Sequence, residues 1–369
     1  MNRLNEGAHM EYSDEAELVK RPEVSVVMPT YNHERYLAEA IEGVVRQETS
    51  FPIELLIGED CSTDGTREIA LSYQKRFPEM IRVITSERNV GGQENFARLV
   101  AATRGKYIAS CEGDDFWHRP DKLQRQIGQF YVDDSLVCVS AGIRVVSADG
   151  DIIDGIQQIN CDAKAIGIEY QDLIFETPFH PNTCTLFARA SAMRRALTGN
   201  SLCSDHSLLM GDFPLWLELS QLGRMILLTE VLGSYRLSPH SATRRSDPLW
   251  CLRFGISDLE LRYRALERYP LPGGDNQTSQ AKLGFARRLL LGAARVGDRA
   301  LARFQWRRII DLGARPTLSD VARMTIAFTP LPRRSLTVGA RRITRYLETR
   351  GCKRNGVLGR LLSMSSDFK

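Results

Sequence analysis

Nowhere in the 369 residues is there an apolar run of the roughly eighteen positions that a membrane-crossing helix needs, which excludes an ordinary helical span. Paired cysteines are missing too. The eight cysteines, Cys61, Cys111, Cys138, Cys161, Cys184, Cys203, Cys251 and Cys352, stand singly, with no C-x-x-C and no Cys/His group at zinc spacing. That argues against a disulfide scaffold or a structural zinc and for a reducing compartment. The opening residues, Met1 to Glu6, carry no apolar stretch of the kind a secretory leader needs, so the expectation is a cytoplasmic protein. Aromatic residues are sparse in the C-terminal stretch, which counts against nucleic-acid binding there. A glycine-rich, Lys- or Arg-bearing phosphate loop is absent after the first apolar run, where Pro29-Thr30-Tyr31-Asn32-His33 stands instead. This weakens a nucleotidyltransferase reading.

What the chain does have is an uneven spread of charge. From Leu331 to Lys369 there are ten Lys/Arg against two acids, a balance of +8, so the remainder carries −4 of the overall +4. Within that tail Leu336, Ala340, Ile343 and Leu347 share one helical face and Arg341, Arg342 and Arg345 lie on the others. Such a stretch suits peripheral contact with an anionic membrane, or packing as a small helical domain.

Residues 1–21 are polar and acid-rich and are expected to form a flexible arm. Strand and helix signals then alternate: strands at 24–28, 53–58, 81–84 and 106–110, helices at 35–47, about 66–77 and 94–103. Asp64 or Thr66 is expected to cap the second helix. This is an α/β pattern with a largely parallel sheet, in which ligands bind beyond the carboxyl ends of the strands. Asp60 and the pair Asp114-Asp115 fall at such ends. Strands are expected again at 136–140, 143–146 and 183–188, then helices at 251–269, 280–295, 298–312 and 318–328. The resulting organisation is an arm (1–21), an α/β domain (22–247) and a helical C-terminal region with the basic tail (248–369).

The run from Ala109 to Leu123 carries Glu112, Asp114 and Asp115 at the end of an apolar strand. Buried carboxylates are costly unless compensated, most simply by a divalent cation, although Gly113-Asp114-Asp115 would also make a tight turn with an Asp helix cap. Three ordered segments decide how to weigh these readings. Val24 to Asn32, Glu59 to Thr66, and Glu112-Gly113-Asp114-Asp115-Phe116-Trp117 with Pro120 and Lys122-Leu123 closely resemble the successive motifs of family 2 glycosyltransferases of the GT-A fold. The resemblance runs from about Pro22 to Thr243. It implies an inverting, metal-dependent transfer of a sugar from a nucleotide-diphosphate donor to an acceptor hydroxyl, in cell-surface polysaccharide or glycolipid synthesis.

The resemblance assigns roles to particular residues. Thr30 and Tyr31 would place an aromatic face against the base and Asp60 would accept from the base edge or a ribose hydroxyl. Asp115 would be the direct ligand of Mg²⁺ or Mn²⁺, with Asp114 shared between metal and ribose. Arg98 and Asn95 would add nucleotide contacts, or else lie on an exposed helix face. Gly211-Asp212-Phe213-Pro214-Leu215-Trp216 is similar to the acceptor-side motif, making Asp212 the general base and Trp216 an acceptor-side residue, although the family often has a second acid where Gly211 stands. Ser234 to Ser241 resembles the closing motif. Relatives often place a His two positions after the Arg, where this chain has Ser238, and His240, a further metal ligand by resemblance, comes two places later. His180 falls in the loop expected to face the acceptor, where a structural hydrogen bond is the competing role. The expected partners are a nucleotide-sugar and a glycan or lipid-linked acceptor, with the enzyme cytoplasmic or peripheral on the inner membrane face. A non-catalytic nucleotide-sugar-binding scaffold is the rival from another class, and the retained acids speak against it.

Overall fold

A computed structural model describes residues 9–153, 163–175, 181–205, 207–237 and 247–328. Residues 1–8, 154–162, 176–180, 206, 238–246 and 329–369 are outside the described part. The expectations for His180, His240 and the basic tail therefore lie outside the described residues.

The chain divides into two compact units. The first comprises 1–170, 179–204 and 211–239, and the second comprises 171–178, 205–210 and 240–369. The units divide at 239/240, where a break at 247/248 was expected, and two short earlier segments, 171–178 and 205–210, belong to the second unit.

The first unit is built on strands β1 (His9–Tyr12), β2 (Val24–Thr30), β3 (Ile53–Glu59), β4 (Ile81–Ser86), β5 (Tyr107–Ser110), β6 (Leu136–Val146), β7 (Ala165–Ile168), β8 (Phe187–Arg189) and β9 (Arg224–Arg236). They form one sheet in the order β1-β4-β3-β2-β5-β8-β6-β9-β7. The block β4-β3-β2-β5 is parallel throughout, and every residue of β3 and β4 is buried, as the unbroken apolar runs require of strands covered on both faces. Beyond β5 the sheet is mixed: β8 runs antiparallel to β5 and β6, β9 is parallel to β6, and β7 is antiparallel to β9. Helices α1 (Leu37–Val45), α2 (Thr66–Arg76), α3 (Gly92–Ala102) and α4 (Lys122–Val132) connect the early strands. Leu37, Ala40, Ile41 and Val44 of α1 pack with Val26, Leu55 and Ile57 in the main core. Helix α5 (Tyr170–Ile174) belongs, but for its first residue, to the second unit, while α6 (Ala190–Leu197) and α7 (Asp212–Ser220) follow in the first.

Four local features differ from expectation. Part of the supposed flexible arm is β1, which pairs antiparallel with β4 and is tied down by Glu11, whose carboxylate accepts from Arg82 at 2.8 and 3.1 Å. The runs 136–140 and 143–146 are a single strand, because Ala141 and Gly142 continue the pairing with β9 across a register shift. The start of the expected strand 183–188 is a short 3-10 turn at Thr183–Thr185. Gly65 is the N-cap of α2, while Asp64 accepts from the Thr66 amide at 3.0 Å.

The second unit holds α8 (Pro248–Arg268), α9 (Asp275–Val296), α10 (Arg299–Asp311) and α11 (Leu318–Phe328). Each boundary has a chemical cause. Asp247 accepts from the Leu249 amide ahead of Pro248 at the first helical position, and Gly297, with φ of 70°, takes the left-handed conformation that ends α9. Thr317 and Asp320 bond reciprocally at the start of α11, a capping box. Arg262, 2% exposed, is satisfied by Asp258 at 3.0 Å and by the carbonyls of Leu173 and Ile174.

Candidate active site

Parallel register brings three segments to one edge of the first unit. Thr30 pairs with Glu59 at the ends of β2 and β3, the Asp60 amide donates to Thr30 O at 3.1 Å, and the Gly113 amide donates to Pro29 O at 3.0 Å. The turns after β2 and β3 are stitched together. Asn32, left-handed at φ 55°, accepts from the Thr63 amide at 2.8 Å, and its own amide donates to Ser62 Oγ at 3.0 Å. This leaves Tyr31 standing out at 40% exposure, free to offer its ring face.

Asp60 is buried, and its two oxygens accept from the amides of Val90 and Gly91, each at 2.9 Å. It therefore fixes the glycine loop, and each oxygen keeps a lone pair for another donor. Arg98 lies behind it. Its guanidinium donates to Asn95 Oδ1 at 2.9 Å, to Glu59 O at 3.1 Å and to Ser86 Oγ, so in this structure Arg98 braces the strand ends from within. Asn95 is likewise buried, donating to Gly58 O at 2.7 Å, and does not sit on an exposed helix face.

The acid turn is closely held. A Cβ on Gly113 would come within 2.5 Å of Thr30 Oγ1 and 2.9 Å of His33 Nδ1, so glycine is needed for the turn to close on the end of β2. Thr30 Oγ1 and His33 Nδ1 are 3.1 Å apart, and His33 Nε2 faces Asp114 Oδ2 at 3.9 Å. Asp114 is half-buried. Asp115 is 3% exposed and accepts from the Arg236 amide at 2.8 Å. The Arg236 side chain wraps the same turn. Its Nε donates to Asp114 O at 2.9 Å, its guanidinium pairs with Glu39, and it lies between the rings of Tyr36 and Phe116, 4.8 and 5.1 Å from their centroids.

Electrostatics mark this turn as strained. Burial, and then the charges of Asp114 and Glu112, push the Asp115 carboxyl well above the usual range. Burial also pushes Glu112 up to about 7, with Asp114 and Asp212 adding to the rise. Glu112 Oε2 is buried without a hydrogen-bond partner. Three acids within four residues, one with an orphaned oxygen, form a hard oxygen-donor set that suits a divalent cation. Among the described residues, however, no three His, Cys, Asp or Glu side chains converge as a ready-made metal cage.

Asp212 opens α7, exposed, with Oδ1 accepting from the Phe213 amide at 2.8 Å. The electrostatic effect on Glu112 places the two acids in one neighbourhood. An added Cβ at Gly211 would sit 2.7 Å from Gln93 Cγ, so a side chain here would require the Gln93 side chain to shift. Trp216 corrects an expectation. It is 2% exposed and its ring is in the interior, so it secures α7 and does not line an open acceptor face.

Sequence reasoning gave no role to His33, Glu39 or Arg236. His33 was findable as the third residue after Thr30, but Glu39 and Arg236 are joined only by the fold. Lys122 was singled out within a motif, but not for what it does: it is wholly buried, donates to Gln126 Oε1 at 2.7 Å and sits 3.8 Å from the Trp117 ring centroid.

A parallel α/β core that gathers carboxylates at the carboxyl ends of its strands defines a ligand-facing edge of the doubly wound kind. The whole fold is similar to that of S. aureus TarS 1-349, determined in complex with UDP-GlcNAc, with a TM-score of 0.52 at 17% identity over 83% of this chain and 79% of that one. The model of glycosyl transferase family 2 matches residues 25–193. A Bacillus subtilis protein named as a glycosyltransferase, EpsE, is 30% identical over 69% of this chain and 85% of its own length. The chain belongs to glycosyl transferase family 2. Bacillus subtilis TuaG, named as a teichuronic acid biosynthesis glycosyltransferase, is 35% identical over 36% of this chain and 52% of its own. An uncharacterized protein of Mycobacterium tuberculosis is 41% identical over 130 residues, 34% of this chain; the match spans only 37% of that relative's length.

Proposed function

We propose that the protein is an inverting glycosyltransferase acting on a nucleotide-diphosphate sugar and an acceptor hydroxyl, in the synthesis of a cell-surface polysaccharide or glycolipid. The observation that carries this reading is the convergence of Thr30, Asp60 and the Glu112 to Asp115 turn at one sheet edge, with Asp212 close enough to perturb Glu112. Family membership and the polysaccharide-related name of TuaG support the substrate class.

In this reading Tyr31 stacks on the base and Asp60 accepts from its edge or from the ribose. Asp114 and Asp115, with Glu112 behind them, would hold Mg²⁺ or Mn²⁺, which when bound neutralises the departing diphosphate. Asp212 takes the proton from the acceptor hydroxyl as that oxygen attacks the anomeric carbon. The bond to the diphosphate oxygen breaks in the same displacement, so one carboxylate suffices and no covalent sugar intermediate forms. Arg236 keeps Asp115 aimed from beneath, and His33 buttresses Asp114.

The test is a panel of nucleotide-sugars scored by melting temperature with and without Mn²⁺, since a ligand that binds only the folded state stabilises it by mass action. A metal-dependent rise with one donor class, followed by release of its nucleoside diphosphate on adding acceptor, supports the proposal. Stabilisation by a donor that is never turned over would make the protein a binding scaffold.

A further inference from the structure

The second unit carries an exposed surface to which the proposed reaction gives no role. On α10 the buried positions Ala302, Gln305 and Ile309 define the inner side. The opposite side presents Phe304 and Ile310, each 50% exposed, between arginines one helical turn apart. Helix α11 repeats the plan. Asp320 and Ala327 face inward, whereas Leu318, at 90% exposure, and Ile326 stand in solvent.

The accompanying charge is mainly positive, with Asp298 and Asp311 the exposed acids at the two ends of α10. Arg299, Arg303, Arg307 and Arg315 are all exposed and have no carboxylate partner among the described residues, although Arg299 donates to Phe328 O at 3.4 Å and Arg299 and Arg303 lie 5.8 and 4.9 Å from the Phe328 ring centroid. By contrast, the neighbouring Arg308 is neutralised by Glu260 at 2.7 Å and Arg323 by Asp320 at 3.3 Å. From Pro248 to Phe328 there are fourteen Lys/Arg against seven acids, a surplus of seven positive charges. Guanidinium groups without a carboxylate partner among the described residues, interleaved with exposed aliphatic and aromatic side chains, ask for a partner that is both anionic and apolar.

We infer that the α10 and α11 surface docks the protein on an anionic lipid bilayer. Headgroup phosphates pair with the arginines while Phe304, Ile310, Leu318 and Ile326 enter the interfacial region. A second copy of the chain fits poorly, because a two-fold contact through this patch would set four arginines that lack a carboxylate partner among the described residues against four more. A soluble acidic partner would satisfy the charge but leave Leu318 in water. The inference does not depend on the reaction proposed above.

The experiment uses the full-length protein and vesicles of phosphatidylcholine with or without phosphatidylglycerol, in low salt. Binding should require phosphatidylglycerol and fade as salt is added. Two variants, Arg303→Glu/Arg307→Glu and Leu318→Gln/Ile326→Gln, should each weaken it by about tenfold or more with melting temperature unchanged. Wild-type protein that ignores anionic vesicles would overturn the inference. So would binding that survives both variants, which would locate it in another part of the chain. Variants that turn an oligomer into a monomer would also overturn it, by making the surface a self-association face.

Discussion

Lys122 offers the sharpest quantitative check on the interior of the first unit. Its ammonium is fully buried, with one hydrogen bond to Gln126 and the Trp117 ring as its remaining compensation, and burial lowers its pKa from 10.5 to about 7. Because the folded pKa lies below the unfolded one, the unfolded chain binds more protons between pH 7 and 10.5, so stability rises with pH across that window. A shift of this size corresponds to about 5 kcal/mol in total. Only part of it is observable, since the buried thiols of Cys111, Cys138 and Cys184 are pushed up by burial and act in the opposite sense above about pH 8.5. From pH 7 to 8.5 the lysine should therefore contribute about 2 kcal/mol of rising stability. Lys122→Met keeps the length of the side chain and removes the charge. Against the relief at pH 6.5 stands about 1–3 kcal/mol for leaving Gln126 Oε1 unpaired. The variant should thus be about 2–4 kcal/mol more stable than wild type at pH 6.5, the gap narrowing by about 2 kcal/mol at pH 8.5. Urea unfolding under reducing conditions at the two pH values reads both quantities. A variant less stable at pH 6.5, or a gap that does not narrow, would refute the reasoning.

Asp115→Asn retains an acceptor for the Arg236 amide but removes a carboxyl whose ionisation burial and the neighbouring acids penalise, so metal-free protein should become more stable at pH 7 while metal-dependent donor affinity falls by at least about tenfold. Calorimetric titration of Mn²⁺ with donor, beside a thermal melt, separates the two effects. Gly113→Ala should cost about 1–3 kcal/mol, because the new methyl meets Thr30 and His33 at 2.5 and 2.9 Å; an unchanged denaturation midpoint would show that the turn can open.

The alternation of buried strands and amphipathic helices over the first 110 residues was readable because each element is local and its apolar period is clean. The strand pattern placed Asp60, Asp114 and Asp115 beyond strand ends, which a parallel sheet brings together, while the roles of these residues and of Thr30, the last residue of β2, came from the resemblance to the family motifs. Period alone could not place Arg236, which reaches Asp115 across 121 positions of sequence, or Glu39, whose partner lies on β9. It also missed β1, an edge strand of only four residues, too short to establish a period and exposed throughout, whose anchor is the pairing of Glu11 with Arg82. Trp216 was misplaced for a related reason: a motif fixes where a residue stands in a helix, but packing decides which side faces inward.

The account turns on Asp212 as the base that accepts the acceptor proton. The most direct measurement is turnover and donor affinity of Asp212→Asn, a variant that keeps the shape and an acceptor for the Phe213 amide but cannot take a proton. Donor affinity should stay near wild type, while turnover at saturating donor and acceptor falls by about 10²- to 10⁴-fold. A variant that turns over at the wild-type rate, or loses donor binding while keeping its saturated rate, would contradict the assignment and return the role of base to another acid at this edge.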